Sequence, residues 1–218
     1  MAQSEKDCVF YFMEIRDHAL IYGLLARKII EHFGKPQGEK LIEEITVLYG
    51  NTRGKRMARL ALENDEEKDL EAFMLHGEWK GKEGENQSEM IYGSDSTSSL
   101  VSKCAWHDTW ERYDLLEYGP YYCRYIDKAI CEGFAGSFDL EVKETISKGE
   151  GRCNFIWNEA VNEESLRKKK AKAEDMWILP FEFHVEELLE CAMKILHDNK
   201  IIEEVIEEYH TCVEGEKE

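Results

Sequence analysis

Apolar residues recur at helical spacing from the first residues of the chain. Val9, Met13, Ala19, Tyr22, Ala26, Ile29, Ile30 and Phe33 predict a helix capped by Ser4 and running to about Phe33, with Gly34 and Pro36 ending it. A second helix is expected from near Gly38, with Leu41, Ile45, Leu48, Thr52 and Arg59 in one narrow arc, Arg56 close to it and Arg53 on its rim. Gly50 and Gly54 inside that helix each cost about 1 kcal/mol relative to alanine. Close approach of another backbone or of a ligand would offset that cost. The three arginines read either as solvated groups bridging to surface carboxylates or as an anion clamp.

The pattern then weakens. Residues 80–99 read as a loop rich in glycine and serine, with Met90, Ile91 and Tyr92 as a short edge strand. A strand from Leu100 to Trp106 ends at Cys104, and His107 or Asp108 is the expected cap of the next helix. Gly119-Pro120 breaks that helix and starts another, which runs to about Glu132. Phe138 to Ser147 and Cys153 to Trp157 alternate with a period of two around Lys148-Gly149-Glu150-Gly151, which predicts a hairpin. With those four residues as the loop, Ile146 faces Cys153, Glu144 faces Phe155 and Val142 faces Trp157. Glu144 is then a carboxylate on the inward face.

The helix from Pro120 holds the most informative placement. At ~100° per residue, Asp127 falls about 40° from Cys123 and within the stripe formed by Ile126, Ile130 and Phe134. An ionised carboxylate there needs a partner or acquires a raised pKa. Cys123, early in the helix, sits near the positive end of the dipole, which favours a thiolate.

Beyond Trp157, Asn158 to Asp175 is charged and reads as a linker or a solvated helix face, with Arg167-Lys168-Lys169-Lys170 as its basic run. Phe181, Val185, Leu188, Ala192, Ile195, Asn199, Ile202, Ile206 and Tyr209 then follow four-three spacing as one heptad seam. Leu189, Met193 and Leu196 widen its first half, as a helix docked on the core requires. The narrower second half reads as a surface for a homodimer. His184, Cys191, His197 and His210 do not share a face, which points to surface or packing roles, and His18, His32 and His76 carry no assignment.

Composition narrows the classes. A formal net charge of -18 over 218 residues repels phosphate backbones and anionic membrane surfaces, so no nucleic acid or membrane partner is expected. Neither a signal-like N-terminus nor a long apolar run is present, and seven scattered cysteines fit reduced thiols, so a cytoplasmic protein is predicted. The fold class is α+β: N-terminal helices packed on a small antiparallel sheet in a domain of residues 1–160, followed by a charged linker and C-terminal helical extension at 161–218.

Several phrases, in order and spacing, resemble the L-2-amino-thiazoline-4-carboxylic acid hydrolase family over roughly residues 20–158. They are Tyr49-Gly50-Asn51-Thr52-Arg53-Gly54, Cys104-Ala105-Trp106, Tyr122-Cys123-Arg124-Tyr125-Ile126-Asp127, Gly133-Phe134 and Gly149-Glu150-Gly151-Arg152-Cys153-Asn154-Phe155. The chain departs from the family's pattern at Asn154, where an aspartate is usual, and at Lys143 or Glu144, where an arginine often stands. The resemblance implies a hydrolase acting on a C–N bond of a cyclic amidine or isothiourea that bears a carboxylate, with a carbamoyl-cysteine as product. On that reading Asp127 holds the amidinium, Cys123 or Cys153 supplies nucleophilic attack, and Arg53 orients the anionic end. Cys104, Trp106 and Glu144 complete the substrate-binding set.

Two other readings stay open. Cys104, His107, Cys123 and Cys153 are candidate metal ligands, Cys104 and His107 at a zinc-like spacing, although the hydrolytic chemistry requires no cofactor. Alternatively, a pocket lined by cysteines binds a small ligand as a sensor domain without catalysis.

Overall fold

A computed structural model describes residues 13–135, 138–173 and 175–215. The expected cap Ser4, the apolar Val9 and Cys8 lie outside the described residues. The first described helix, α1, spans Ile15–Phe33 and opens with a reciprocal capping box in which the Glu14 amide donates to Asp17 Oδ2 at 2.8 Å. Gly34, at φ 74°, ends α1 and immediately starts α2, Lys35–Glu63. Pro36 therefore begins the second helix rather than closing the first. Its missing N–H is harmless in a first turn, where no intrahelical acceptor awaits it.

The buried side of α2 differs from the arc expected. Ile42, Ile45, Tyr49, Arg53, Met57 and Ala61 are buried, whereas Leu41, Leu48 and Thr52 are only partly covered and Arg59 is exposed. The helix touches α1 on one side, α5 (Gly119–Phe134) on another and α7 (Phe181–Leu196) on a third, so no single apolar stripe marks it.

The expected close approach is the crossing of α2 over α5. A Cβ on Gly54 would lie 2.1 Å from the Ile130 carbonyl oxygen, and one on Gly133 2.5 Å from that of Asn51. The two backbones touch, and only glycine allows it.

After α3, Leu70–Leu75, come β1, Gln87–Tyr92, and β2, Thr97–Lys103, then α4, Ala105–Arg112. β2 begins three residues before the expected start, inside the serine-rich run, because Thr97 and Ser99 are buried and Thr97 Oγ1 accepts the Val161 amide at 3.1 Å. Cys104 occupies the cap position of α4, which makes no side-chain cap hydrogen bond; neither His107 nor Asp108 takes that place.

β3, Leu140–Glu144, and β4, Cys153–Trp157, complete an antiparallel sheet ordered β1-β2-β4-β3. The hairpin register is corrected by the structure: Leu140 pairs with Trp157, Val142 with Phe155 and Glu144 with Asn154. A 3-10 turn at Ile146–Lys148 consumes residues the four-residue loop would have left in the strand. A side-chain acceptor holds this longer connection, since the Thr145 amide donates to Glu150 Oε2 at 2.5 Å.

The C-terminal region comprises α6, Glu163–Ala173, then α7 and α8, Asn199–Glu214. The continuous heptad seam is broken: His197 adopts φ 52° and Asp198 caps α8 through the Lys200 amide at 2.9 Å. This turn lets both helices lie on α1, with Ile201, Val205 and Tyr209 of α8 buried and Tyr209 Oη donating to Asp17 Oδ1 at 3.0 Å. The result is an α+β fold with helices at both ends of the chain around one small sheet. No helix among the described residues is long and apolar enough to cross a membrane.

Candidate functional site

The α2–α5 crossing brings a cation and a carboxylate to one cavity. Arg53, one residue before the contact glycine of α2, and Asp127, from α5, both line a space of about 630 Å³. Its other walls are largely apolar: Met57, Phe73, Met74, Leu75, Trp79, Ile130 and Ile178, with Lys80, Lys170 and Asp175 among the polar contributors. Lys80 Nζ pairs with Asp175 Oδ1 at 2.8 Å, joining the loop after α3 to the segment after α6.

Arg53 is held from behind. Its Nε donates to Glu78 Oε2 at 3.4 Å, and its guanidinium carbon lies 5.6 Å from the centroid of the Tyr49 ring. Glu78 is fully buried, and Arg56 grips it with two bonds, Nε to Oε1 at 2.6 Å and Nη2 to Oε2 at 2.8 Å. Arg56 is in turn held by Glu187 and stacks at 4.7 Å over Phe183. Two arginines and two glutamates thus compensate one another in the interior. The only hydrogen bond of the Arg53 side chain to described residues uses Nε, so the end of its fork is left for the cavity.

Asp127 has no such cradle. Burial pushes its carboxyl up to about 6, and the nearby Arg53 charge opposes the shift. At neutral pH it is mostly ionised, poised to accept from a cationic ligand in a site where water is partly excluded.

The three predicted thiols lie within electrostatic reach of the same carboxylate. Cys104, Cys123 and Cys153 come from the end of β2, from α5 and from β4, and the Asp127 charge pushes each of them up. Burial is the larger cause in all three. It outweighs the thiolate preference expected for Cys123 in the first turns of α5, and it lifts Cys153 to about 11 although the Ile146 amide donates to its Sγ at 3.4 Å. None of the three lines the 630 Å³ cavity. Asp127 lines the cavity and its charge also reaches the thiols.

The remaining predicted residues lie elsewhere. Trp106 is buried in the core, its indole N–H donating to His18 Nδ1 at 3.2 Å. An indole nitrogen can only donate, so His18 carries its proton on Nε2 and gives it to Tyr49 Oη at 3.2 Å. Burial holds His18 well below the usual histidine range and His184 at about 3, so both are neutral supports of the Arg53 side. Glu144 is not an inward carboxylate: the observed register leaves it half-exposed, accepting from Arg152 Nε at 3.0 Å. His107 lies 3.7 Å from Asp108, and among the described residues no three His, Cys, Asp or Glu side chains converge as metal ligands.

Sequence reasoning missed Glu78, Trp79 and Lys170. A single carboxylate between Gly77 and Trp79, at the end of the apolar run Phe73-Met74-Leu75, was the available signal for the first two. Lys170 carried none, being one of four consecutive basic residues.

A family model described as L-2-amino-thiazoline-4-carboxylic acid hydrolase matches residues 14–157. No curated protein and no solved structure matches the chain.

Proposed function

The chain belongs to the L-2-amino-thiazoline-4-carboxylic acid hydrolase family, and from that premise we propose that it opens, by hydrolysis, a cyclic amidine or isothiourea carrying a carboxylate. The observation that carries this reading is the presence of Arg53 and Asp127 on one cavity wall system. A 2-aminothiazoline ring with a 4-carboxylate presents the complementary pair, an amidinium and an anion. Asp127 accepts two hydrogen bonds from the amidinium, and the free end of the Arg53 fork binds the carboxylate.

The chemistry follows from that placement. Pairing with Asp127 keeps the ring protonated, which makes its amidine carbon electrophilic. Addition of water there and rupture of one ring bond give a carbamoyl-cysteine. Rupture to sulfur yields the N-carbamoyl isomer with a free thiol; rupture to nitrogen yields the S-carbamoyl isomer with a free amine. Either product is the substrate plus one water. A thiol from Cys123 or Cys153 is the rival nucleophile, and its proton would have to leave with the attack, since burial keeps both neutral at pH 7.

The test is incubation with L-2-amino-thiazoline-4-carboxylate, reading product mass and free thiol, for the parent and for Asp127→Asn, Arg53→Met, Cys123→Ala and Cys153→Ala. Turnover that collapses with Asp127→Asn and survives one of the cysteine changes supports the assignment. Absence of turnover of any cyclic amidine, with saturable thermal stabilisation by the same compounds, would favour a ligand-sensing domain instead.

A further inference from the structure

The cavity is larger than the ring just assigned to it. A compact thiazoline carboxylate has about nine non-hydrogen atoms, whereas a volume of about 630 Å³ lies in the range of roughly 300–1,000 Å³ that takes drug-sized ligands. The surplus space is apolar, walled by Phe73, Met74, Leu75, Trp79 and Ile178. The helix α6 adds one more feature, Lys170, which also lines the cavity.

Lys170 differs from Lys168, Lys169 and Lys80 in its pairing. Lys169 binds Glu71 at 2.7 Å, Lys168 binds Glu164 at 2.6 Å and Lys80 binds Asp175 at 2.8 Å, so these neighbours are paired. Lys170 has no ion-pair partner among the described residues, and its surroundings push its ammonium below the usual lysine range, with no nearby charge contributing. In a chain of net charge -18, an exposed ammonium at the wall of a cavity that forms no ion pair with a described carboxylate offers a position for an anion.

We propose that the substrate of this site is an extended cyclic amidine whose apolar body fills the space between Phe73, Trp79 and Ile178 and ends in a second acidic group that Lys170 binds. The proposal rests on the reading of Arg53 and Asp127 given above and adds the substrate class to it. Lys170 acts in specificity, by selecting the acidic end, while Arg53 and Asp127 hold the ring.

Three compounds test it: 2-amino-thiazoline-4-carboxylate, its 5-phenyl derivative and its 5-(4-carboxyphenyl) derivative. Their Kd values are measured by calorimetry on the intact chain, alongside Lys170→Met and Lys170→Arg, with circular dichroism to check folding. The expected order is the carboxyphenyl compound tightest and the bare ring weakest. Lys170→Met should reduce the preference for carboxyphenyl over phenyl by roughly tenfold, and Lys170→Arg should restore most of it. Equal affinities for all three compounds, or a carboxyphenyl preference that survives Lys170→Met, overturns the proposal. Because the readout is binding, failure of the hydrolytic reading appears separately, as a tight complex that yields no ring-opened product.

Discussion

Arg53 and Asp127 reach one cavity from two helices whose backbones are in contact at Gly54 and Gly133. The close crossing fixes the separation of the two backbones from which the cation and the carboxylate project, a rigid base that suits the proposed zwitterionic ring.

The crossing should tolerate no side chain. Gly54→Ala, which improves helix propensity by about 1 kcal/mol, is expected to destabilise the fold by roughly 2–4 kcal/mol, because its Cβ would meet the Ile130 carbonyl oxygen at 2.1 Å. Urea unfolding measures the difference; a stabilised variant would contradict the observed helix contact.

Activity should follow the Asp127 titration. Its carboxyl is raised from 3.8 to about 6 by burial, and in the proposed function the ionised form is the one that pairs with an amidinium. Turnover, expressed as kcat/KM, should therefore rise with pH through about 6 and level off above it. In Asp127→Asn the step near pH 6 should vanish, with turnover lowered roughly 100-fold or more.

The same shift has a consequence for stability. The folded carboxyl holds its proton to higher pH than the unfolded one, so folding is favoured by protonation between about 4 and 6 and that contribution is lost as pH rises through about 6. The stability of the parent minus that of Asp127→Asn should fall across this window and stay level above it. Denaturant melts at pH 4.5 and pH 7 would read the change, and a difference that does not fall would contradict the raised carboxyl.

Glu78 is expected to be the most sensitive charged position. Glu78→Ala leaves Arg53 without its buried carboxylate and Arg56 with Glu187 alone, which should cost about 3–5 kcal/mol. Thermal unfolding at constant pH would show it, and a shift of no more than a degree or two would contradict the buried network.

The thiols should be slow nucleophiles toward added reagents. With Cys153 near 11 and Cys123 and Cys104 also pushed up, alkylation by iodoacetamide at pH 7 should be at least about tenfold slower than for free cysteine and should accelerate with pH. Peptide-resolved labelling assigns a rate to each thiol separately. Rapid labelling of Cys123 at pH 7 would instead indicate a thiolate ready for attack.

Much of this site was legible in local pattern. The 3.6-residue period placed Asp127 among Ile126, Ile130 and Phe134, and the cavity now lies against Ile130 as well. The two glycines of α2 announced a close approach, since a helix rarely carries them without one. The α+β class, the edge strand around Met90-Ile91-Tyr92 and the helix beginning at Gly119-Pro120 were likewise readable, because backbone hydrogen-bond periodicity and turn chemistry act over a few residues.

Tertiary structure decided what depends on distant neighbours. Arg53 rather than Arg59 is buried because α5 and α7 cover that side of α2, and Glu78, from the loop after α3, supplies the countercharge. The hairpin register shifted because Ile146–Lys148 forms a turn, which left Glu144 half-exposed rather than inward. The seam of the last two helices divided at His197 so that both could bury against α1. Lys170 became part of the cavity when α6 was laid beside it. The sequence by itself therefore determined most of the longer helices, the strands in outline and which carboxylate is misplaced on an apolar face. Which charges face one another was determined by the three-dimensional arrangement, because electrostatic and packing partners are separated by tens of residues and only folding makes them adjacent.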